Sequence, residues 1–299
     1  MPTPQLPTIS KLLSSAWEHA RPKYWKLAGV VLLGILLLLP LNLLYFFDPD
    51  FGSPTVPMES PGRSLLTLLL IVTFSVFVQF WMRLALNRTI IQPKKLGVFR
   101  SYKESLKILP SFLWMYFLQM LITIPAFLLF MVPAFILFIN VWFAGWFVTT
   151  EEAKGLNALA KSRELSRGIF WKTAGRCLFP ALLVMAFTLT MNFYLPLNPI
   201  WSEEFTKILL NIINPIFSIV AMPLIVQYDY ELFLALKKRA SKKDPQKQVE
   251  KYQIFTIIGA TLLTLYVLII VLTFSLLSLV PESQSIPQTA EKLSTVIQH

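Results

Sequence analysis

The chain has 299 residues, of which 55% are apolar and 14% are charged, and its mean hydropathy is +0.61. Soluble domains carry about 45–50% apolar and about 25% charged residues, so this composition excludes a soluble enzyme and a disordered chain and indicates a bilayer protein. Lysine and arginine outnumber aspartate and glutamate by 27 to 16, a net charge of +11. This excess is typical of proteins that meet either nucleic acid or a membrane surface.

The N-terminal segment, residues 1–26, is predicted to be cytoplasmic and amphipathic, because apolar residues recur at helical spacing before an interfacial Tyr24-Trp25 pair. These apolar residues are Ile9, Leu12, Leu13, Ala16 and Trp17. The first span follows at about 27–47. We expect it to be retained rather than cleaved as a signal peptide, because no small-residue cleavage pattern follows it. A second span is predicted at about 64–86.

The third apolar stretch, residues 108–150, contains no charged side chain. As a single helix its 43 residues would be about 64 Å long, roughly twice the thickness of a bilayer core. The stretch must therefore fold back. Pro125 and Pro133 flank the predicted tight turn, which places two spans at about 111–130 and 133–150.

The later elements complete a six-span domain, residues 27–236, and add a seventh span. They are a cytoplasmic surface helix, the fifth and sixth spans, a basic cytoplasmic loop, the seventh span and an extracytoplasmic tail. These cover residues 151–171, 173–194, 205–233, 237–253, 254–280 and 281–299, respectively. The predicted fold class is an all-α polytopic helical bundle with about seven transmembrane helices and amphipathic interfacial helices.

The positions of the basic residues test this topology. Segments that share one side in a seven-span chain hold 24 of the 27 lysines and arginines. The other side holds Arg63, Lys207 and Lys292. By the positive-inside rule the N-terminus is cytoplasmic and the C-terminus is extracytoplasmic, in a plasma (inner) membrane. The expected partners are anionic lipid headgroups at the cytoplasmic face and a membrane protein, and nucleic acid is not expected.

No catalytic or cofactor-binding motif occurs in the sequence, whether a phosphate-binding glycine loop, HExxH, CxxC or GxSxG. The only histidines are His19 and His299, and the only cysteine is Cys177. The sequence therefore predicts no metal site, no cofactor and no enzymatic activity.

Candidate ligand contacts are polar residues in or near the spans. No ionisable residue is predicted at the centre of a span, which disfavours an ion-driven transporter. Asp229 and Glu231 end the sixth span and are expected to pair with the basic loop that begins at Lys237. Pro215 and Pro223 could break this span and expose backbone carbonyls to a ligand. The candidates for ligand or lipid contact are Asn140, Asn211, Asn214, Asp229, Glu231, Arg163 and Arg167.

Residues 131–171 carry the pattern E-x-x-G-x-x-A-L-x-x-S-x-x-L-x-x-G, and the sixth span ends in Tyr228-Asp229-Tyr230. The pattern residues are Glu152, Gly155, Ala158, Leu159, Ser162, Leu165 and Gly168. This resembles a poorly characterised bacterial multi-pass inner-membrane family, which is similar to the membrane domain attached to some glycerophosphodiester phosphodiesterases. The resemblance covers about residues 10–240, and the seventh span departs from the family's six-span pattern. No phosphodiesterase domain is present, so the resemblance implies a membrane module rather than a reaction.

Three hypotheses follow. The first is a non-enzymatic protein that interacts with lipids or organises other membrane components. The alternative is a transporter or permease for a small or lipidic solute that uses the proline-containing sixth span. The third is an enzyme acting on lipid headgroups, with Asp229 and Glu231 as its acids. A polar cavity beside the asparagines would favour transport, a laterally open apolar groove would favour lipid handling, and a closed bundle would favour scaffolding.

Overall fold

A computed structural model describes residues 6–47, 61–129, 131–194, 202–240 and 246–279. All secondary structure in these ranges is helical, which confirms the all-α class. The helices are α1 (Ile9–Ala20), α2 (Tyr24–Phe47), α3 (Pro61–Ile91), α4 (Val98–Leu106), α5 (Leu109–Leu129), α6 (Met131–Val141), α7 (Ala144–Glu151), α8 (Gly155–Ser166), α9 (Phe170–Tyr194), α10 (Glu203–Arg239) and α11 (Gln246–Leu279). The predicted tail, residues 281–299, lies outside the described ranges.

Five helical stretches in the described ranges are long and apolar enough to cross a membrane. They are Ile9–Pro40, Leu69–Ile91, Ala134–Glu151, Phe170–Phe193 and Ile208–Arg239. A sixth is counted if α4 and α5, which meet at a bend of 67°, form one span. The predicted count of seven is therefore not confirmed. In α11 the apolar segment is Tyr252–Leu265, which is shorter than the five candidate spans.

Thr8 caps the N-terminus of helix α1, because its side chain accepts a hydrogen bond from the Lys11 backbone N–H. A short 3-10 turn, Arg21–Lys23, joins it to α2. The predicted apolar pattern of α1 is buried only in part, because Leu12 and Ala16 are buried together with Ala20, whereas Leu13 and Trp17 are 43% and 50% exposed. The partner of α1 is α10.

Helices α5 and α6 are neighbours in space as well as in sequence, as the fold-back of the charge-free stretch predicts. The second arm differs from the single helix expected over 133–150. It breaks at Trp142 and Phe143, so that α6 ends and α7 begins within the predicted span.

Helix α8, predicted as a surface helix that joins two spans, packs against α5, α6, α7 and α11 with Ala158, Leu159, Ser162 and Leu165 buried. Small residues on its buried face allow this close approach. Gly155 begins the helix in the left-handed region with φ of 49°, and a Cβ there would lie 3.2 Å from Trp114 and Leu118 of α5. Gly168 also has positive φ, 76°, after the helix ends. The glycines of the E-x-x-G pattern therefore allow the chain to enter and leave a buried helix.

Candidate ligand cavity

A cavity of about 890 Å³ opens among α2, α3, α5, α6, α9 and α10. Most of its wall is apolar, with contributions such as Ile35 from α2, Phe138 from α6 and Val184 from α9. Its polar lining residues are Gln79, Arg83, Tyr116, Gln119, Thr188, Ser218 and Asp229. This combination of apolar walls and a few placed polar groups is typical of ligand sites.

On the α9 side, residues that line the cavity are also exposed at the outside of the bundle. On α9, the lining residues Ala181, Met185 and Leu189 are exposed. Their neighbours Leu182 and Leu183 on the same helix are exposed as well. The cavity is therefore bounded on this side by a helix whose outer face is apolar, rather than by a closed layer of protein.

An ion pair between Arg83 of α3 and Asp229 of α10 lies in the cavity wall. Arg83 Nη2 donates to Asp229 Oδ2 at 2.8 Å, and the side chains are 25% and 2% exposed, respectively. Asp229 can be charged at this depth only because it is paired, since an isolated buried carboxylate is very costly.

This pair bears on the expectation that no ionisable residue lies at the centre of a span, because both residues lie well inside helices that are apolar enough to cross a membrane. Arg83 lies near the end of the predicted second span, 64–86, and was counted with the basic residues that follow it, but α3 continues to Ile91 and places Arg83 eight residues from the helix end. Asp229 lies ten residues before α10 ends at Arg239. By the rise of an α-helix these positions are about 12 and 15 Å from the respective helix ends.

Asp229 also meets the break between α6 and α7. The Trp142 indole approaches its carboxylate, while the buried Oδ1 atom has no hydrogen bond of normal geometry. Cys177 of α9 is buried close by. The carboxylate therefore lies where α3, α9, α10 and the α6–α7 break come close together.

Glu231 lies apart from this cavity. It accepts hydrogen bonds from Ser15 at 3.1 Å and Gln227 at 2.9 Å, and its Oε1 lies 3.1 Å from His19 Nδ1. It lines a separate groove of about 480 Å³ between α1 and α10. Because Asp229 and Glu231 face different cavities, the structure does not bring the two acids together as the enzyme hypothesis requires.

The expected pairing of these acids with the basic loop is not found among the described residues, because Arg83 pairs with Asp229, and Ser15, His19 and Gln227 contact Glu231. Lys237, at the start of that loop, instead contacts Glu151 at the end of α7, with Nζ and Oε1 2.6 Å apart. Lys161 of α8 reaches the other oxygen of Glu151 at 2.7 Å. This triad joins the end of α7 and the end of α10 to the middle of α8.

Asn140 of α6 joins this helix to α8 through hydrogen bonds. Its backbone carbonyl accepts a hydrogen bond from Ser162 Oγ at 2.7 Å, and its side-chain Oδ1 accepts one from Ser166 Oγ at 2.6 Å. Ser162 Oγ in turn accepts the Phe143 backbone N–H at 3.1 Å. The serine of the E-x-x-G pattern therefore bridges the two sides of the α6–α7 break.

The other sequence candidates do not line the cavity. Asn211 is exposed on α10, and the Asn214 carbonyl accepts a hydrogen bond from Ser218 within the same helix. Helix α10 continues through both of its prolines, so the expected broken helix is not found there. Arg163 lies over the Tyr252 ring at 5.8 Å, and Arg167 pairs with Glu164 at 3.4 Å.

Sequence reasoning found Asp229 but missed Arg83. A signal was present, because Gln79 and Arg83 are four residues apart and share a helix face, and the residues after Arg83 are again apolar. An arginine flanked by apolar residues on both sides is better placed inside a helix than at the start of a loop. Among the described residues, no group of three or more His, Cys, Asp or Glu side chains could hold a metal.

Comparisons with protein-family models, curated proteins and solved structures gave no match to this chain. The described helices define an all-α bundle with several helices that could span a membrane and with a partly open cavity.

Proposed function

We propose that this chain is a non-enzymatic integral membrane protein that binds membrane lipid in the cavity among α2, α3, α9 and α10. The observation that carries the proposal is the cavity itself. Its volume of about 890 Å³ falls within the range of about 300–1,000 Å³ for small-molecule sites. Its walls are mostly apolar, and its charged groups are confined to one ion pair.

The route of entry favours a ligand that is already dissolved in the bilayer. Met185 and Leu189 both line the cavity and are about half exposed on the outer face of α9. A lipid chain could therefore move from hydrocarbon into the cavity without crossing water. A scaffold without a ligand would be expected to fill its interior, since close packing is the rule for protein cores.

The proposed setting is a bacterial plasma membrane, with the N-terminus in the cytoplasm and membership of the inner-membrane family that residues 131–171 resemble. The concentration of basic residues in alternate segments supports this orientation and favours contact with anionic headgroups or a membrane-protein partner at the cytoplasmic face. Reporter fusions after Lys243 and at His299 should report opposite sides. The same side for both would contradict the seven-span topology.

Matched cavity-filling variants test lipid binding. Val184 lines the cavity, whereas its neighbour Leu183 points outward and is 55% exposed. In native mass spectrometry of the purified full chain, Val184→Trp should lose bound lipid and Leu183→Trp should retain it. Equal lipid binding by the two variants and the wild type would contradict the proposal.

A transporter for a small or lipidic solute is the second candidate, and the Arg83–Asp229 pair favours it. Ionisable residues inside membrane helices commonly mark ligand or ion pathways. In proteoliposomes a transporter would move a labelled lipid or solute between leaflets or compartments, and Val184→Trp would stop this movement. Binding without movement would leave the lipid-binding function alone.

A further inference from the structure

We infer that the cavity recognises the phosphate group of a membrane phospholipid through Arg83, with an acyl chain lying along the apolar wall. This inference rests on the proposed function, because it names the lipid chemistry that the cavity takes. Asp229 acts in it as a positioning residue rather than as a ligand contact.

Arg83 retains donors that Asp229 does not use. A guanidinium group has five N–H donors, and within the described part of the chain Arg83 makes one hydrogen bond, from Nη2 to Asp229. Its side chain is 25% exposed and lines the cavity, whereas the Asp229 side chain is only 2% exposed. The part of the ion pair that a ligand can reach is therefore the cation.

A phosphodiester is the membrane group that best matches these remaining donors. Arginine binds phosphate oxygens through two parallel N–H bonds, which a single ammonium group cannot reproduce. Gln79 and Gln119 also line the cavity, and their amides can donate to phosphate or glycerol oxygens. The remainder of the wall is mostly apolar, which suits an acyl chain.

The fixed carboxylate determines where the guanidinium points. Asp229 lies on a helix packed among α2, α3, α8 and α9, so the bond to Oδ2 holds Arg83 at the cavity wall. It also makes the pair neutral overall. A neutral pair can bind zwitterionic and anionic phospholipids alike, because recognition depends on the phosphate rather than on the net charge of the lipid.

The experiment compares three lipids with identical acyl chains, which are phosphatidylethanolamine, phosphatidylglycerol and diacylglycerol. Binding to the full chain in detergent is measured by native mass spectrometry. We expect the two phospholipids to bind at least tenfold more tightly than diacylglycerol, which lacks phosphate. Arg83→Lys keeps the ion pair but loses the two parallel N–H donors of the guanidinium group, so it should weaken this preference. Arg100→Lys, at an exposed position on α4, should not.

A double variant, Arg83→Gln with Asp229→Asn, separates recognition from folding. It removes both charges together and leaves no unpaired buried ion, so the thermal unfolding midpoint should stay near that of the wild type while the preference for phospholipid is lost. The inference is overturned, and lipid binding stands, if diacylglycerol binds as tightly as the phospholipids or if both Arg83 variants keep the preference. The proposed function itself fails if the wild type binds none of the three lipids.

Discussion

The α6–α7 break depends on a single hydroxyl group, that of Ser162. This oxygen accepts the Phe143 N–H at 3.1 Å and donates to the Asn140 carbonyl at 2.7 Å. Ser162 and Phe143 are both fully buried. The Ser162→Ala change removes both hydrogen bonds at once and leaves a buried backbone donor without a partner, at a point where the helix cannot supply an acceptor.

The expected loss of stability follows from these two bonds. Leaving a buried donor unsatisfied costs about 1–3 kcal/mol, and a second lost hydrogen bond contributes about 0.5–1.5 kcal/mol. We therefore expect Ser162→Ala to lower the free energy of unfolding by about 2–4 kcal/mol. The measurement is reversible unfolding of the full chain in mixed micelles, followed by tryptophan fluorescence.

Ser105→Ala is the matched control, because Ser105 is equally buried. Its hydroxyl donates only to the Tyr102 carbonyl three residues earlier, at 2.7 Å. Such local back-bonding adds little to helix stability, so we expect a loss of at most about 0.5 kcal/mol. If the two alanine variants lose the same free energy, Ser162 does not hold the α6–α7 break as we describe.

Three further predictions concern stability in the same unfolding assay. Arg83→Met should cost about 3–5 kcal/mol, because it leaves a buried carboxylate unpaired, whereas adding Asp229→Asn should recover most of that loss. A double-mutant cycle that shows simple additivity would contradict the ion pair. Gly155→Ala should cost at least about 1–2 kcal/mol, because φ is positive there. Gly175→Ala, in a helix with open space around it, should instead stabilise by about 0.5–1 kcal/mol, and equal effects would contradict the strain at the first position. Glu151→Gln should lower the free energy of unfolding by at most about 2 kcal/mol, and this loss should disappear in high salt. A loss that does not depend on salt would indicate that the two lysine pairs of Glu151 contribute little.

The helical class could be predicted from the sequence because apolar runs of span length have few other solutions in a bilayer. The packing of α1 was readable in part, since Leu12 and Ala16 of the predicted face are buried in a helix that packs against α10, whereas Leu13 and Trp17 are exposed. The bend between α4 and α5 was not predicted, and neither was the packing of α4 on α3. Trp81 of α3, for example, donates from Nε1 to the Tyr102 carbonyl of α4 at 3.1 Å.

The candidate site could be predicted only in part. Asp229 was identified because an acid close to a long apolar run is conspicuous. Arg83 was counted with the basic residues of the cytoplasmic segment because the predicted span ends at residue 86, whereas the helix extends to Ile91. Besides Gln227 on its own helix, the partners of Glu231 come from α1, more than two hundred residues away in the chain, and no local pattern indicates such a contact. Gly155 and Ser162 allow α8 to be buried. The sequence pattern includes both residues, but it does not indicate which residues they contact.

The order of synthesis has a consequence for the Arg83–Asp229 pair. The two residues are separated by 146 positions, and ribosomes add about 5–20 residues per second. Arg83 is therefore made about 7–30 s before its counter-ion exists. If α3 enters the bilayer as it is made, it must do so with an unpaired arginine, which carries a cost of about 2.5–3.5 kcal/mol at the centre of a span. The helix can settle at its final depth only after α10 has been translated, so assembly of this protein should be completed late, by its C-terminal third.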